Sequence, residues 1–269
     1  MANNDEQRRK EFYERTFGQL EEMYKKSIED PNNQMNLLRY AKGLVNTITI
    51  FGMSGDPEGI DLVLQRFRKL VEEHGNIDEI QNQFATALAN SMSYLMKKQK
   101  FDSMYERLEE LRMFARSYPM NMSCQRSLAG GLVNSIINFG QRGMVEPIKQ
   151  LIRELLVLAN AHKENEEIQL ALAKGLVNAI GYLGKHGEYE KAIPLIDELM
   201  ALTDAYQYNE DFILQRANGI VTAMTVFKDK EEFVDLVDEL DAELARMAKE
   251  FPNHEGVQLR AKTKSLGRD

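Results

Sequence analysis

Four asparagines stand at one fixed interval along this chain. They are Asn46, Asn90, Asn134 and Asn178, with Thr222 at the next step, each 44 residues beyond the last. An amide side chain donates and accepts at once, so a row of amides can pair with the N–H and C=O groups of an extended peptide. On a helical projection the row keeps company with the cations Arg39, Lys42, Lys97, Lys174 and Lys185. Ile50, Tyr94, Asn138 and Tyr182 share that face. The chemistry available to such a set is recognition, with amides for a peptide backbone and cations for carboxylates. Two plainer roles are open to the same residues. Each amide can bond the neighbouring helix and hold a stack, and the cations can serve as a solvated face.

Reaction chemistry is not written into the chain. The four histidines, His74, His162, His186 and His254, are not spaced as zinc ligands. The single cysteine, Cys124, falls on an apolar stripe with Ile80 and Ile168 and reads as a small core residue. No P-loop, GxGxxG or GxSxG motif occurs. The carboxylate pairs Glu109-Glu110 and Glu231-Glu232 read as exposed helix charges. The expectation is a protein that is not an enzyme and holds neither metal nor cofactor.

The elements that position the asparagines follow from a repeat. Gly-Leu-Val-Asn closes on Asn46, Asn134 and Asn178, Ala-Leu-Ala-Asn on Asn90, and Gly-Ile-Val-Thr on Thr222. Five copies in register indicate stacked supersecondary units, beginning near residues 36, 80, 124, 168 and 212. In the fourth copy Glu166 to Lys185 reads as one helix (A) and Glu188 to about Tyr206 as a second (B), with Gly184 and Gly187 at the turn. Gly52 with Gly55, and Gly140 with Gly143, repeat that turn. Leu172, Leu176, Ile180 and Leu183 form the apolar stripe of helix A, and Ile193, Ile196, Leu199 and Leu202 that of helix B. Gly43, Ala87, Gly131, Gly175 and Gly219 share one position, followed one turn later by Thr47, Ser91, Ser135, Ala179 and Ala223. Small residues so placed predict close packing of each A helix on the next. Neither helix buries its stripe alone, so neighbours must stack.

Stepping 100° per residue from Ala173 puts the stripe near about 330° and Asn178 near about 140°, on the opposite side of helix A. There the asparagines would line a concave groove, one per repeat. Windows 37–53, 81–97, 125–141, 169–185 and 213–229 hold eight Lys or Arg and one acid, Asp229. Their net charge of +7, within a total of −8, leaves −15 for the rest of the chain. A mildly basic groove in an acidic exterior predicts a carboxylate-bearing ligand.

The ends fit one solenoid domain over 1–269. A capping helix at about 6–28 opens it, and a shortened, polar helix A at 256–269, with Lys262, Lys264 and Arg268, closes it. Helix B of copy five runs about one residue longer, which shifts this last piece from the 44-residue register. The expected fold is all-α, a right-handed superhelix of two-helix repeats with about twelve helices.

The turn and second helix of copy four, GKHGEYEKAIPLIDEL, resemble the tetratricopeptide repeat with its Gly-x-Tyr-x-x-Ala corner. Pro31-Asn32-Asn33, Pro119-Met120-Asn121 and Pro252-Asn253 look like the Pro-Asn that closes such repeats. The likeness covers nearly the whole chain as architecture. The period departs from the 34 residues of that family, and Lys100-Phe101 and Lys230-Glu231 stand in place of the Gly corner in copies two and five. The period is also that of HEAT and armadillo repeats, and a repeated groove Asn is similar to the armadillo ladder. Both resemblances imply peptide or protein binding. In tetratricopeptide proteins Asn and Lys form a carboxylate clamp. Asn46, Lys42, Asn90 and Lys97 are of similar type, without a residue-by-residue match.

Composition sets the remaining bounds. With 43% hydrophobic and 28% charged residues the chain reads as folded and soluble. A lone cysteine fits a reducing compartment, and the polar start MANNDEQRRKEF gives no sign of a signal peptide. A cytoplasmic location is expected. The acidic total points away from nucleic acid, as does the scarcity of stacking aromatics, and no segment is apolar enough for a membrane. The expected partner is a protein or peptide, acidic in character, held by a scaffold or adaptor. The alternative is a structural protein that self-assembles through its end repeats or convex face, with Phe12, Tyr13 and Phe17 near one end; a homo-oligomer stays open.

Overall fold

The computed structural model describes residues 2–30 and 33–265, with the side chains of 2–6, 8, 9 and 263–265 outside that description. Helices account for all its regular structure. In chain order they are α1 (Ala2–Glu29), α2 (Gln34–Ser54), α3 (Pro57–His74), α4 (Asp78–Lys97), α5 (Phe101–Ser117) and α6 (Met122–Gln141). There follow α7 (Val145–Ala161), α8 (Glu166–Lys185), α9 (Tyr189–Ala205), α10 (Glu210–Phe227), α11 (Val234–Glu250) and α12 (Glu255–Ser265). The even helices from α2 to α10 carry the five repeated tetrapeptides and are the A helices. Pro31-Asn32, Leu266 and Arg268 lie outside the described residues.

Contacts gather in two compact units, Met1–Gly131 and Leu132–Asp269, divided inside α6. In the first, α2 packs on α4, and α1 and α3 each pack on the A helix that follows them. The second repeats the scheme with α8 on α10 and α10 on α12, while α7, α9 and α11 each support the next A helix. The core of each unit is therefore the interior between an A layer and a B layer. Leu44, Ile48, Phe51, Val63 and Phe67 fill it in the first unit, and Leu172, Leu176, Ile180, Ile196 and Leu199 in the second.

The turns show why the elements start and stop where they do. Asn121, Asn165 and Asn209, again 44 residues apart, cap α6, α8 and α10 by accepting from the N–H of Cys124, Ile168 and Asp211. Copy five runs one residue longer, so its linker cap falls on His254, whose Nδ1 accepts from Val257 N–H at 3.3 Å. After helix A, Gly55, Gly143 and Gly187 take left-handed φ values of 73°, 70° and 79°. Gln99 stands at the same repeat position in copy two and is held at φ 57°. Copy five avoids that conformation with a 3-10 turn at Glu231–Phe233. A side chain in the left-handed region costs roughly 1–2 kcal/mol. Gln99→Gly is accordingly expected to stabilise the first unit by about 0.5–1 kcal/mol, read as a higher urea midpoint. An unchanged or lower midpoint would show that Gln99 makes up the strain through its side chain.

Two glycine expectations need correction. Gly43, Gly131, Gly175 and Gly219 do not chiefly serve contact between A helices. A Cβ on each would first meet the preceding B helix, at Met23, Leu111, Leu155 and Leu199 respectively, with the preceding A helix farther off where it is reached. The apolar ridge of one B helix is seated in the glycine of the next A helix. Gly52, Gly140 and Gly184 lie inside their helices without positive φ, and these are the points of close A-to-A approach. A Cβ there would fall 2.2 Å from Tyr94, 2.1 Å from Tyr182 and 2.1 Å from Val226.

Candidate functional site

The first A helix carries the most open stretch of the anticipated face. Arg39, Lys42, Asn46 and Ile50 are spaced by three, four and four residues, which keeps them on one side of α2. All four are exposed, and Arg39, Lys42 and Asn46 make no described side-chain hydrogen bond or ion pair. Met35 and Met53, 59% and 79% exposed, extend the same stripe at its two ends. No acid lies on α2. The result is a cationic and amide centre between flexible apolar ends, on a helix whose opposite side is fully buried. The sequence reading stopped at Arg39 and Ile50. The methionines were legible as the next steps of the same three–four spacing.

Along the neighbouring α4, Asn90 is half-buried without a described partner and Lys97 is exposed. Tyr94 lies between them, its ring set on Gly52 of α2, and the Lys97 ammonium sits 5.9 Å from the ring centroid. Tyr94 is thus part of the seam joining two A helices as well as of the face.

The second unit places its residues differently. Asn134 and Asn178 are half-buried, and Asn178 Nδ2 donates to the Lys174 carbonyl one turn back in its own helix at 2.8 Å. Lys174 and Lys185 are exposed. Tyr182 caps Gly140, and burial raises its hydroxyl above the ordinary tyrosine range. Asn138 is 1% exposed, which removes it from any surface. Thr222, at the ladder position of copy five, lies toward α8, 3.0 Å from where a Cβ on Gly181 would stand. The ladder position therefore runs along the edge of the seam between A helices. It opens most at Asn46, where the preceding helix is α1 and not an A helix.

Helix bounds also redistribute the charge. Asp78 and Glu79 open α4, Glu166 and Glu167 open α8, and Glu210 and Asp211 open α10. Carboxylates in a first turn complement the helix dipole, and they lie just outside the windows counted above. Arg216 leaves the face altogether and pairs with Asp204 and with Glu243 at 2.8 Å. Hydrogen bonding from Arg246, aided by Arg216, holds the Glu243 carboxyl below the usual range. The cationic character of the A layer is consequently concentrated on α2.

One polar series escaped the sequence reading. Gln81, Gln125 and Gln169 are buried at one repeat position among the apolar stripe. Gln125 Nε2 donates to the carbonyls of Ala115 and Tyr118, at 2.9 and 3.2 Å, and Gln169 Nε2 to those of Ala159 and His162, at 2.8 and 3.2 Å. Gln258, shifted by one like His254, does the same for Ala248 and Phe251. Each closes the end of the preceding B helix, so the series is architectural. Burial pushes the Cys124 thiol up to about 12, leaving it protonated at neutral pH. Among the described residues no group of His, Cys, Asp or Glu could hold a metal ion, and no helix is long and apolar enough to cross a membrane.

No protein-family model, no curated protein and no solved structure matches the chain.

Proposed function

We propose that this protein is an interaction scaffold that holds a carboxylate-bearing peptide or protein segment against its A helices, with α2 as the principal contact. The exposed stripe of Met35, Arg39, Lys42, Asn46, Ile50 and Met53 carries the reading. Unpaired cations and an amide supply the charged and backbone contacts, and methionine adapts to apolar side chains on either side. Asn90 and Lys97 of the adjoining α4 extend the contact. The proposal takes the architecture as tetratricopeptide-like, a right-handed stack with A helices on the inner face. It places the protein in the cytoplasm, where a single protonated thiol is stable.

The test uses a short peptide of alternating Leu and Glu with a free carboxyl end, titrated calorimetrically into the full chain. Arg39→Ala/Lys42→Ala/Asn46→Ala is expected to weaken binding by roughly 10–100-fold while the melting temperature stays near wild type. Asn90→Ala/Asn134→Ala/Asn178→Ala should weaken it less. Binding should also fall as salt rises, since exposed charges are screened beyond about 8 Å at physiological ionic strength. Affinity unchanged by the α2 substitutions, or indifferent to salt, would overturn the reading.

Self-assembly is the second reading, favoured by apolar residues exposed near the ends. Met23, Tyr24 and Ile28 are 38%, 38% and 52% exposed on α1, and Leu259 is 58% exposed on α12. A mass in light scattering that rises with concentration and reverts on Ile28→Glu or Leu259→Glu would support it over the scaffold.

A further inference from the structure

A second surface lies on the other layer of the first unit. The B helices α3 and α5 both rest on α4, and between them opens a cleft of about 640 Å³. Its floor is apolar, built from Val71, Phe84 and Phe114. Phe84 and Phe114 meet edge to face at 4.9 Å, and Phe114 continues to Tyr118 at 4.8 Å. Over this floor stand Tyr105 and Met113, 48% and 68% exposed, which adds two large apolar side chains to the same patch.

The rim is acidic. Four carboxylates, Glu72, Glu106, Glu109 and Glu110, face one guanidinium, Arg68, among the lining residues. Glu110 is already taken by Arg68 at 2.6 Å and by Arg107 at 3.4 Å, and Glu109 is paired with Arg112. Glu72 and Glu106 have no described partner. An apolar floor between unpaired carboxylates is complementary to an apolar ridge flanked by cations. The corresponding cleft one repeat earlier, between α1 and α3, differs in charge, with Arg66 and Lys69 beside Glu14. The rim between α3 and α5 is thus more acidic than that of the preceding repeat.

We infer that this cleft docks a basic amphipathic helix of a partner protein. The length fits. Tyr105 to Ser117 is about 18 Å along α5 at 1.5 Å per residue, or roughly three turns. The shape fits as well, because Tyr105, Glu109 and Met113 form a row with one-turn spacing, the ridge into which the side chains of another helix interdigitate. A second copy of this chain is a poor occupant, since its net charge of −8 opposes an acidic rim and its cationic stripe on α2 has Arg39, Lys42 and Asn46 at its centre instead of an apolar ridge. The inference is independent of the α2 stripe, which asks for a ligand of opposite charge.

The probe is a labelled peptide of about twelve residues, three helical turns, with Leu along one face and Lys on its flanks. Its control keeps the Leu face and replaces Lys with Glu. Anisotropy is read in the full-length Arg39→Ala/Lys42→Ala/Asn46→Ala background, which removes the α2 stripe as a site for the acidic control, and is expected to show the basic peptide bound about tenfold more tightly than the acidic one, or better. Glu72→Lys/Glu106→Lys, both at surface positions, should reverse that order, and Met113→Asp should abolish binding of either peptide. Amide exchange should slow in α3 and α5 on binding. Arg39→Ala/Lys42→Ala/Asn46→Ala should leave the basic peptide's affinity unchanged, which separates this site from the α2 stripe. Equal binding of both peptides, indifference to the rim substitutions, or protection confined to α2 would overturn the inference. So would a dimer in light scattering that Met113→Asp dissolves, because the cleft would then belong to a second copy.

Discussion

Gly140→Ala is expected to destabilise the second unit by about 1–3 kcal/mol, although alanine is the better helix former by about 1 kcal/mol. The new methyl would stand 2.1–2.5 Å from three ring atoms of Tyr182, and that ring is the contact between α6 and α8 at this point. Relief requires the ring to leave its seat. Tyr182→Ala should therefore suppress much of the loss, and the double variant should fall short of the sum of the singles by about 0.5–3 kcal/mol. Urea melts followed by circular dichroism measure all four members of the cycle. The first unit provides a replicate, with Gly52 and Tyr94 in the same relation at 2.2 Å. A Gly140→Ala protein that melts at or above wild type would show that the glycine is not kept for this contact.

Gln169→Leu is expected to cost a similar amount. The side chain is 6% exposed and serves two carbonyls at the end of α7. Leucine keeps most of the volume but removes the side-chain donor from both carbonyls, which keep only the backbone N–H groups of His162 and Asn165, a loss of about 0.5–1.5 kcal/mol per hydrogen bond. Gln169→Glu separates hydrogen bonding from shape. A carboxylate beside two carbonyls is disfavoured, so its folded pKa lies above its unfolded value. The penalty is then present at neutral pH and shrinks as the solution is acidified through that raised pKa, because the protonated acid can donate one bond. Parallel stability curves for Gln169→Glu and wild type from neutral to acid pH would sink this account. Copy five has the apolar Ile213 at the position, and there the matching carbonyls of Thr203 and Tyr206 accept from the backbone N–H groups of Tyr206 and Asn209.

Much of the architecture was legible because it depends on local chemistry repeated five times. The bounds of α8 follow from its apolar stripe and the Gly-containing turn, and the linker asparagines mark helix starts by capping. What the sequence hid depends on which helix comes opposite. Gly175 announces a close neighbour without saying whether it is Leu155 of the preceding B helix or an A helix. Gln169 looks like one polar break in an apolar stripe until the end of α7 is placed beside it. Arg216 counts toward a basic face until Asp204 and Glu243 draw it away. Of the candidate site, the exposure of Arg39, Lys42 and Asn46 followed from projection alone. Tyr94 and Tyr182 belong to a seam that projection of a single helix cannot reveal.

Successive helices of the A layer touch where a side chain is seated on a glycine, at Gly52 with the Tyr94 ring and at Gly184 with Val226. Across the B layer of the first unit the links are long side chains, Arg66 to Glu21, Arg68 to Glu110 and Arg107 to Asp61. Contacts of the first kind are insensitive to salt, and those of the second are screened by it. Under a pulling force, or at high ionic strength, the ion-paired surface should stretch first while the ring-and-glycine surface keeps its length. The width of the cleft between α3 and α5 would change with it, so mechanical load on the chain would tune what that cleft can hold.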